Sequence, residues 1–459
     1  MSQAAPVLTN SPIVAAYVER TPASARLFTR ARAAFPGGLT HDARHTDPHP
    51  IYVERAAGSR KWDADGNEYV DYMGGHGALL LGHNHPEVVA VARRQLGVGT
   101  HFGACHELEI RWAELVKELI PCAEKVRFTA SGTEATLLAL RMARGATGRT
   151  KVIRYASHFH GWHDHLCAAF VNRFDGSAPI GVLDSVADDI VVLAPNDLDA
   201  TRAAIEGGGI AAVILEPTGA SWGHVPAPPA FVAGLRELTA RHGVVLIFDE
   251  VISGFRCSPG GAQAALGITP DLATLAKILA GGLPGGAVAG RADLIDLTSF
   301  EEDARGGREK ILHLGTFNAN PESAATGIAC LEIVRDGDAC ARANDTAASV
   351  REALTAAAVD EGLPWGVYGT YSGFHVFTNP ARREVRPAAF DPLAVPWQEL
   401  RAGTPAIDGK LRLGMLVHGV DINGWPGGLT SAVHTGDDVE RTADAFRRTV
   451  RALRAEGDL

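Results

Sequence analysis

The chain has 459 residues, 43 Lys and Arg against 53 Asp and Glu (formal net charge −10), and 46% hydrophobic residues. That length accommodates two or three domains with ample core, and the acidic balance argues against nucleic-acid binding, where basic patches do the work. No apolar run approaches the roughly 18–20 residues of a membrane span. The N-terminus has no basic residue before Arg20 and no long apolar run, so no signal peptide is expected. Six scattered cysteines without a CxxC pattern read as reduced thiols of a cytoplasmic protein.

Residues 11–34 carry spaced apolar residues and alternating charge, which predicts one surface helix ended by the PGG at 36–38. Residues 39–50 are loop by composition. IYVERAAGSRKWDADGNEYVDY then reads as two or three short strands with turns at AAGS and DADGN. From about residue 85 the texture changes. Helices are expected at HELEIRWAELVKELI, GTEATLLALRMARGAT, LDATRAAIE and PAFVAGLRELTARHG. Strands are expected at KVRFTA, KVIRYA, IVVLAP, IAAVILEP and VVLIFDE, and DLATLAKILAGG runs from strand into turn. These strands are continuous apolar runs, the signature of strands buried on both faces of a parallel sheet. Strand–helix alternation predicts an α/β domain. After about residue 325 come a helix (IACLEIVRDGDA), a β-leaning stretch (GVYGTYSGFHVFTN) and a last amphipathic helix (TADAFRRTVRALRAE), read as a smaller α+β domain.

The nonapeptide SHFHGWHDH, residues 157–165, holds four histidines and raises the question of a metal site. Three other features sit at the predicted C-terminal strand ends, where α/β sheets place ligands. In RFTASGTEA a strand ends at Ala130 and Ser131-Gly132-Thr133 leads into a helix. Free N–H groups and small hydroxyls there make a phosphate cradle; plain helix capping is the competing reading. The Walker lysine is missing. In VVLIFDEV a buried strand delivers Asp249 and Glu250, and a buried carboxylate must be paired or coordinated; capping of the next turn competes. In DLATLAKILAGG, Lys277 sits in an apolar segment, where desolvation lowers an amine's pKa and makes it a Schiff-base nucleophile; snorkelling competes. Together, cradle, carboxylate and lysine match the handles of pyridoxal 5′-phosphate (PLP): phosphate, pyridinium nitrogen and aldehyde.

With these residues in view, the sequence resembles the class III aminotransferases of PLP fold type I. Within them it resembles the branch of glutamate-1-semialdehyde aminomutases and β-amino-acid aminotransferases. The likeness runs from about residue 25 to 450 through FPGGL, KWDADGNEYVDY, LGHNHP, KVRFTASGTEA, ILEP, VLIFDEVISGFR, GITPDLATLAKILAGGLPGGAVAG, HLGTFNANP and SAVHTGDD. It implies a large domain with a mostly parallel seven-stranded sheet flanked by helices, and a smaller α+β domain from both chain ends. The expected bounds are 1–65 and 326–459 for the small domain and 66–325 for the large. It further implies that Lys277 forms the Schiff base and then shuttles the proton. Asp249 binds the ring nitrogen, Val251 packs on one ring face, and Ser131, Gly132 and Thr133 hold the phosphate. Thr316 reaches the phosphate of the other subunit of a homodimer. Phe159-His160-Gly161 matches the family's aromatic-His-Gly triplet, with Phe159 stacking on the cofactor and His160 making structural hydrogen bonds. The resemblance thus replaces a metal reading of the histidines, and His158, His163 and His165 are expected in a surface loop. Glu216, in ILEP, is counted among the cofactor-binding positions.

Arg44 falls where the aminomutases carry an arginine, and a guanidinium there suits a substrate carboxylate; a solvated loop arginine is the alternative. After Glu216-Pro217 the chain reads TGASWG, without the amide side chain more usual near the cofactor oxygen, although Ser221 is available. Residues 166–190 lack the Gly- and Ser-rich character of the aminomutase gating loop, and Trp425-Pro-Gly-Gly stands where aminomutases have a short acidic or aromatic stretch. These departures favour an aminotransferase acting on a carboxylate-bearing donor, with β-amino acids in view, and a keto acid or aldehyde acceptor. An aminomutase is the alternative. A non-catalytic relative would have lost Lys277 or Asp249, and both are present.

Overall fold

The computed structural model describes residues 10–301 and 309–459; the first nine residues, part of the stretch read for a targeting signal, lie outside the described residues. The chain forms two compact units. One comprises the stretch ending at His76, Leu80–His85 and Ala341–Leu459; the other comprises Gly77–Leu79 and Pro86–Cys340.

The larger unit is built on strands β1 (Lys125–Thr129), β2 (Lys151–Tyr155), β3 (Ile190–Leu193), β4 (Ile210–Leu215), β5 (Val245–Asp249), β6 (Leu272–Ala276) and β7 (Gly286–Gly290). They form one seven-stranded sheet in the order β1-β7-β6-β5-β4-β2-β3. Neighbours from β6 to β3 pair in parallel. Only β7 runs against its neighbours, β6 and β1. The apolar runs are buried on both faces, as their lack of alternation predicts. Ile214 and Ile247 join one core cluster, while Val213, Leu215, Leu246 and Phe248 join the other. That split is the two-residue period of a strand. Helix α1 (Gly132–Thr147) covers the first face with Leu138, Leu140 and Met142, and α2 (Pro229–His242) covers the second with Phe231, Val232 and Leu235.

The smaller unit pairs Val53–Ala57, Arg60–Asp63, Glu68–Asp71 and Val420–Asp421 in one sheet, and Gly366–Tyr368, Gly373–Phe377 and Gly427–Leu429 in another. Its core gathers Tyr17, Tyr69, Tyr72, Trp365, Phe374 and Phe446.

Several sequence expectations change. The single helix at 11–34 is two, Pro12–Arg20 and Pro22–Ala34, because Pro22 has no N–H to continue the first and starts the second. The boundary at 65/66 separates Glu68–Asp71 from Arg60–Asp63, yet the two strands pair antiparallel across the DADGN turn. The boundary at 325/326 cuts helix Pro321–Asp336, which packs against helices Pro86–Val98 and Glu107–Leu119 of the larger unit. Helices Ala339–Asp360 and Pro405–Val417 and strand β7 had no counterpart in the expected elements. β7 reads GAVAG, too poor in β-branched residues to signal a strand.

Candidate active site

Parallel strands deliver their C-terminal ends to one edge of the sheet, and the chemistry-bearing residues lie there. β1 leads into α1 through Ser131. The Ser131 hydroxyl accepts from Glu134 N at 3.3 Å, so the capping reading is realised. The N–H groups of the first helical turn, Gly132 and Thr133 included, have no intrahelical acceptor by construction. A Cβ added at Gly132 would lie 2.9 Å from Val251 Cγ2 and 3.5 Å from Ala276 Cβ. Helix start, Val251 and the residue before Lys277 therefore meet at a point that admits no side chain. Gly161, at φ +92°, sits so close to Thr133 that a Cβ would lie 2.8 Å from its hydroxyl. Cradle and histidine loop are in contact.

Asp249 ends β5 and is buried. Its Oδ1 accepts from Val251 N at 3.1 Å and from the Thr274 hydroxyl at 3.2 Å, and its Oδ2 lies 2.7 Å from His160 Nδ1. The parallel register sets Thr274 beside Asp249. Burial pushes the carboxyl up to about 6, against these hydrogen bonds and the nearby Lys277. Burial holds His160 neutral, well below the usual imidazole range. An ionised carboxylate only accepts, so Nδ1 carries the His160 proton.

Lys277 follows β6 with φ +56°, a backbone conformation strained for a side chain of its size. Burial lowers its amine to about 8, with Asp249 and Glu216 opposing that and Arg256 adding to it. The residue itself is half-buried.

Glu216 follows β4 and is buried, its carboxyl pushed up to about 7 by burial and by Asp249. Its Oε1 accepts from Phe159 N at 2.8 Å and Ser221 N at 2.9 Å, and its Oε2 from Trp222 N at 3.1 Å. Its partners are backbone groups of two loops. Glu250, by contrast, points away into the fold, accepting from Ser253, Ala262 and Gln263.

The four histidines take four different partners. His158 Nδ1 accepts from Glu216 N at 3.0 Å, His160 meets Asp249, His163 Nε2 lies 3.2 Å from the Thr136 hydroxyl, and His165 Nδ1 lies 3.3 Å from Arg144 Nη1. Among the described residues no group of three or more His, Cys, Asp or Glu is placed to hold a metal ion. The surface-loop expectation fails for His158 and His163, which are buried. Their polar partners, Glu216 N and Thr136, come from β4 and α1, invisible at the level of a nonapeptide. Phe159 is 45% exposed, its ring 4.8 Å from that of Phe170.

Two further expected residues have partners of their own. Arg44 belongs to the smaller unit, in the exposed turn Asp42–Arg44, where its Nη1 donates to the Thr40 hydroxyl at 2.9 Å. Thr316 is exposed, its carbonyl 2.5 Å from His101 Nε2. Thr274 and Arg154 escaped the sequence reading. A threonine and an arginine inside otherwise apolar strands, LATLA and KVIRY, were the signals available.

The aminotransferase class-III family model matches residues 41–363. The chain is 36% identical over 439 residues to glutamate-1-semialdehyde 2,1-aminomutase 2 of Brevibacillus brevis, covering 93% of this chain and 98% of the relative. Among solved structures, an omega-transaminase from Sphaerobacter thermophilus superposes with a TM-score of 0.85 at 34% identity, over 95% of this chain and 99% of that one. A β-phenylalanine aminotransferase from Variovorax paradoxus gives 0.82 at 29% identity, over 97% and 98%. Among the described residues no helix is long and apolar enough to cross a membrane.

Proposed function

The chain belongs to the class-III aminotransferases, PLP-dependent enzymes of fold type I, and from that premise we propose that it transfers an amino group from a carboxylate-bearing donor to a keto acid or aldehyde in two half-reactions at Lys277. β-Amino acids head the donor class. The observation that carries this reading is the placing of the half-buried Lys277, its amine lowered to about 8, near the buried carboxyl of Asp249.

The residues present fit PLP. The first-turn N–H groups at Ser131–Thr133 suit a phosphate, and Gly132 and Gly161 keep that end clear of side chains. Asp249 suits a protonated ring nitrogen and Lys277 an aldehyde. When bound, PLP supplies an electron sink that makes the C–H bond beside the donor nitrogen acidic. Asp249 would hold the ring nitrogen's proton, itself kept ionised by His160 Nδ1–H, Val251 N–H and the Thr274 hydroxyl. The Phe159 ring would stack on one face and Val251 pack on the other. Lys277 Nζ would serve as the base that takes the donor's proton and then as the acid that gives it back. Arg44 is the proposed carboxylate receptor. A homodimer in which Thr316 serves the partner's phosphate is supported by the exposed apolar residues flanking it, Leu314 at 82% and Phe317 at 60%.

A second reading, intramolecular amino transfer on a semialdehyde, is supported by the aminomutase named above. A half-reaction screen separates the two. The PLP form is mixed with single α-, β- and γ-amino acids, simple amines or glutamate-1-semialdehyde, without acceptor, and its absorbance followed. Conversion to the pyridoxamine form with release of a keto product supports the aminotransferase and identifies its donor. Reaction of the semialdehyde alone, returned as an isomer, establishes the aminomutase instead. Lys277→Ala should abolish turnover in either case.

A further inference from the structure

Two buried charges of opposite sign flank the loop after β2, and both are met by backbone groups. Arg154, inside β2 and fully buried, donates through Nη1 to the carbonyls of Leu166 (2.5 Å) and Ala168, and through Nη2 to that of His158. Glu216 accepts from Phe159 N at 2.8 Å. The His158 carbonyl and the Phe159 N–H belong to one peptide group. That peptide is held at its oxygen by a guanidinium and at its nitrogen by a carboxylate, its dipole aligned between the two charges. Charge-assisted hydrogen bonds are the strong ones, and burial strengthens them further.

The loop needs such a device. It is irregular, with Ser157 at φ +69° and Gly161 at φ +92°, so no ladder fixes the orientation of its peptides. Two side chains project from the residues that follow this peptide: Phe159, the ring read as stacking on the cofactor, and His160, bonded to Asp249. Glu216 also binds Ser221 N and Trp222 N, both residues at left-handed φ (+49° and +51°), so one carboxylate locks two strained loops.

We infer that Arg154 and Glu216 are a positioning pair acting through the His158–Phe159 peptide: together they fix the plane from which the Phe159 ring and the His160 imidazole project, and neither touches the cofactor. The inference rests on the reading of Phe159 as the ring that stacks on PLP. It moves Glu216 from binding the cofactor to orienting a residue that does.

The test is a double-mutant cycle on the holoenzyme with Arg154→Lys and Glu216→Gln. Lysine keeps the charge but cannot span three carbonyls with a planar fork. Glutamine keeps an acceptor for two N–H groups but turns an NH2 toward the third. Each single variant should weaken PLP binding by about tenfold, diminish the visible circular dichroism of the bound cofactor, and lower kcat more than it raises KM. The double variant should lose no more than the worse single one, because both act on one peptide. Losses that multiply, or an unchanged cofactor signal with only a lower Tm, overturn the pair. In a Phe159→Leu background the effect of Glu216→Gln on the cofactor signal should shrink to the part carried by His160 and Asp249; an undiminished effect returns Glu216 to direct cofactor contact. Hydrogen exchange of the 157–161 amides in the cofactor-free chain separates this inference from the stacking reading. Both variants should speed it. Unchanged exchange overturns the pair even if PLP binds as proposed, and faster exchange supports it even if the wild type binds no PLP.

Discussion

The titration of Lys277 is where the electrostatics of the site can be read directly. An ordinary lysine, near 10.4, is only about one part in a thousand neutral at pH 7.5. With the Lys277 amine lowered to about 8 by burial, roughly a quarter is neutral at the same pH, a gain of about two hundredfold in nucleophilic amine. The perturbation is a pair of variants. Asp249→Asn and Glu216→Gln each remove a carboxylate that opposes the lowering, so each should move the midpoint further down, with Asp249, the larger influence, moving it more. The assay is competitive acetylation of the cofactor-free protein between pH 6 and 11, read peptide by peptide by mass spectrometry, with exposed lysines as the internal scale. Slow access scales every point alike and leaves the midpoint unmoved. A Lys277 midpoint above 10, or one that rises when Asp249 is neutralised, would refute the reasoning, because burial would then not govern the amine.

Gly132→Ala places a methyl 2.9 Å from Val251 Cγ2, so the helix start or Val251 must shift, and PLP affinity measured by equilibrium dialysis should fall by about tenfold. Arg44→Ala should raise KM for carboxylate-bearing donors far more than for simple amines; equal changes would remove Arg44 from substrate binding. Burial raises the Asp408 carboxyl to about 7, although its oxygens accept from the Thr378 hydroxyl and Thr404 N. Its ionisation therefore opposes folding: the stability that this one group contributes is full below about pH 4 and is lost as pH rises through about 7. Asp408→Asn keeps the volume and, with the Thr378 hydroxyl reversed, both hydrogen bonds. It should thus be more stable than wild type at pH 7.5 by up to about 4 kcal/mol, a difference that shrinks toward pH 4.5 in urea melts.

Most of the larger unit was legible because its elements carry their own signals. The run VLIFD has no polar residue until Asp249, and the helix of α1 begins and ends as its residues dictate, from Ser131 at the N-cap to Gly148 at φ +66° beyond Thr147. Cradle, carboxylate and lysine were visible for the same reason: each interrupts an apolar run at a strand end. What stayed hidden depends on pairing between distant segments. His158 and His163 look like loop residues until β4 and α1 supply their partners. Arg154 looks like a strand edge until the carbonyls of residues 158, 166 and 168 close over it. The backbone N–H partners of Glu216 come from residues 159, 221 and 222, which no local pattern joins to it.

The unpredicted strand β7 explains how these separate strand ends become one site. It inserts antiparallel between β1, which leads into Ser131 and the start of α1, and β6, which leads into Lys277. β7 begins with Gly286, where a Cβ would lie 2.5 Å from the Ser131 carbonyl and 2.6 Å from the Thr129 hydroxyl, so the backbone comes right against the turn that starts α1. Gly290, at the other end, would collide with the Asp271 carbonyl at 2.4 Å, where β6 begins. The composition that concealed β7 as a strand, glycine and alanine around a single valine, is what lets it sit there. The same smallness that weakens a strand on its own lets β7 lie against both the turn that starts α1 and the residue that leads into β6.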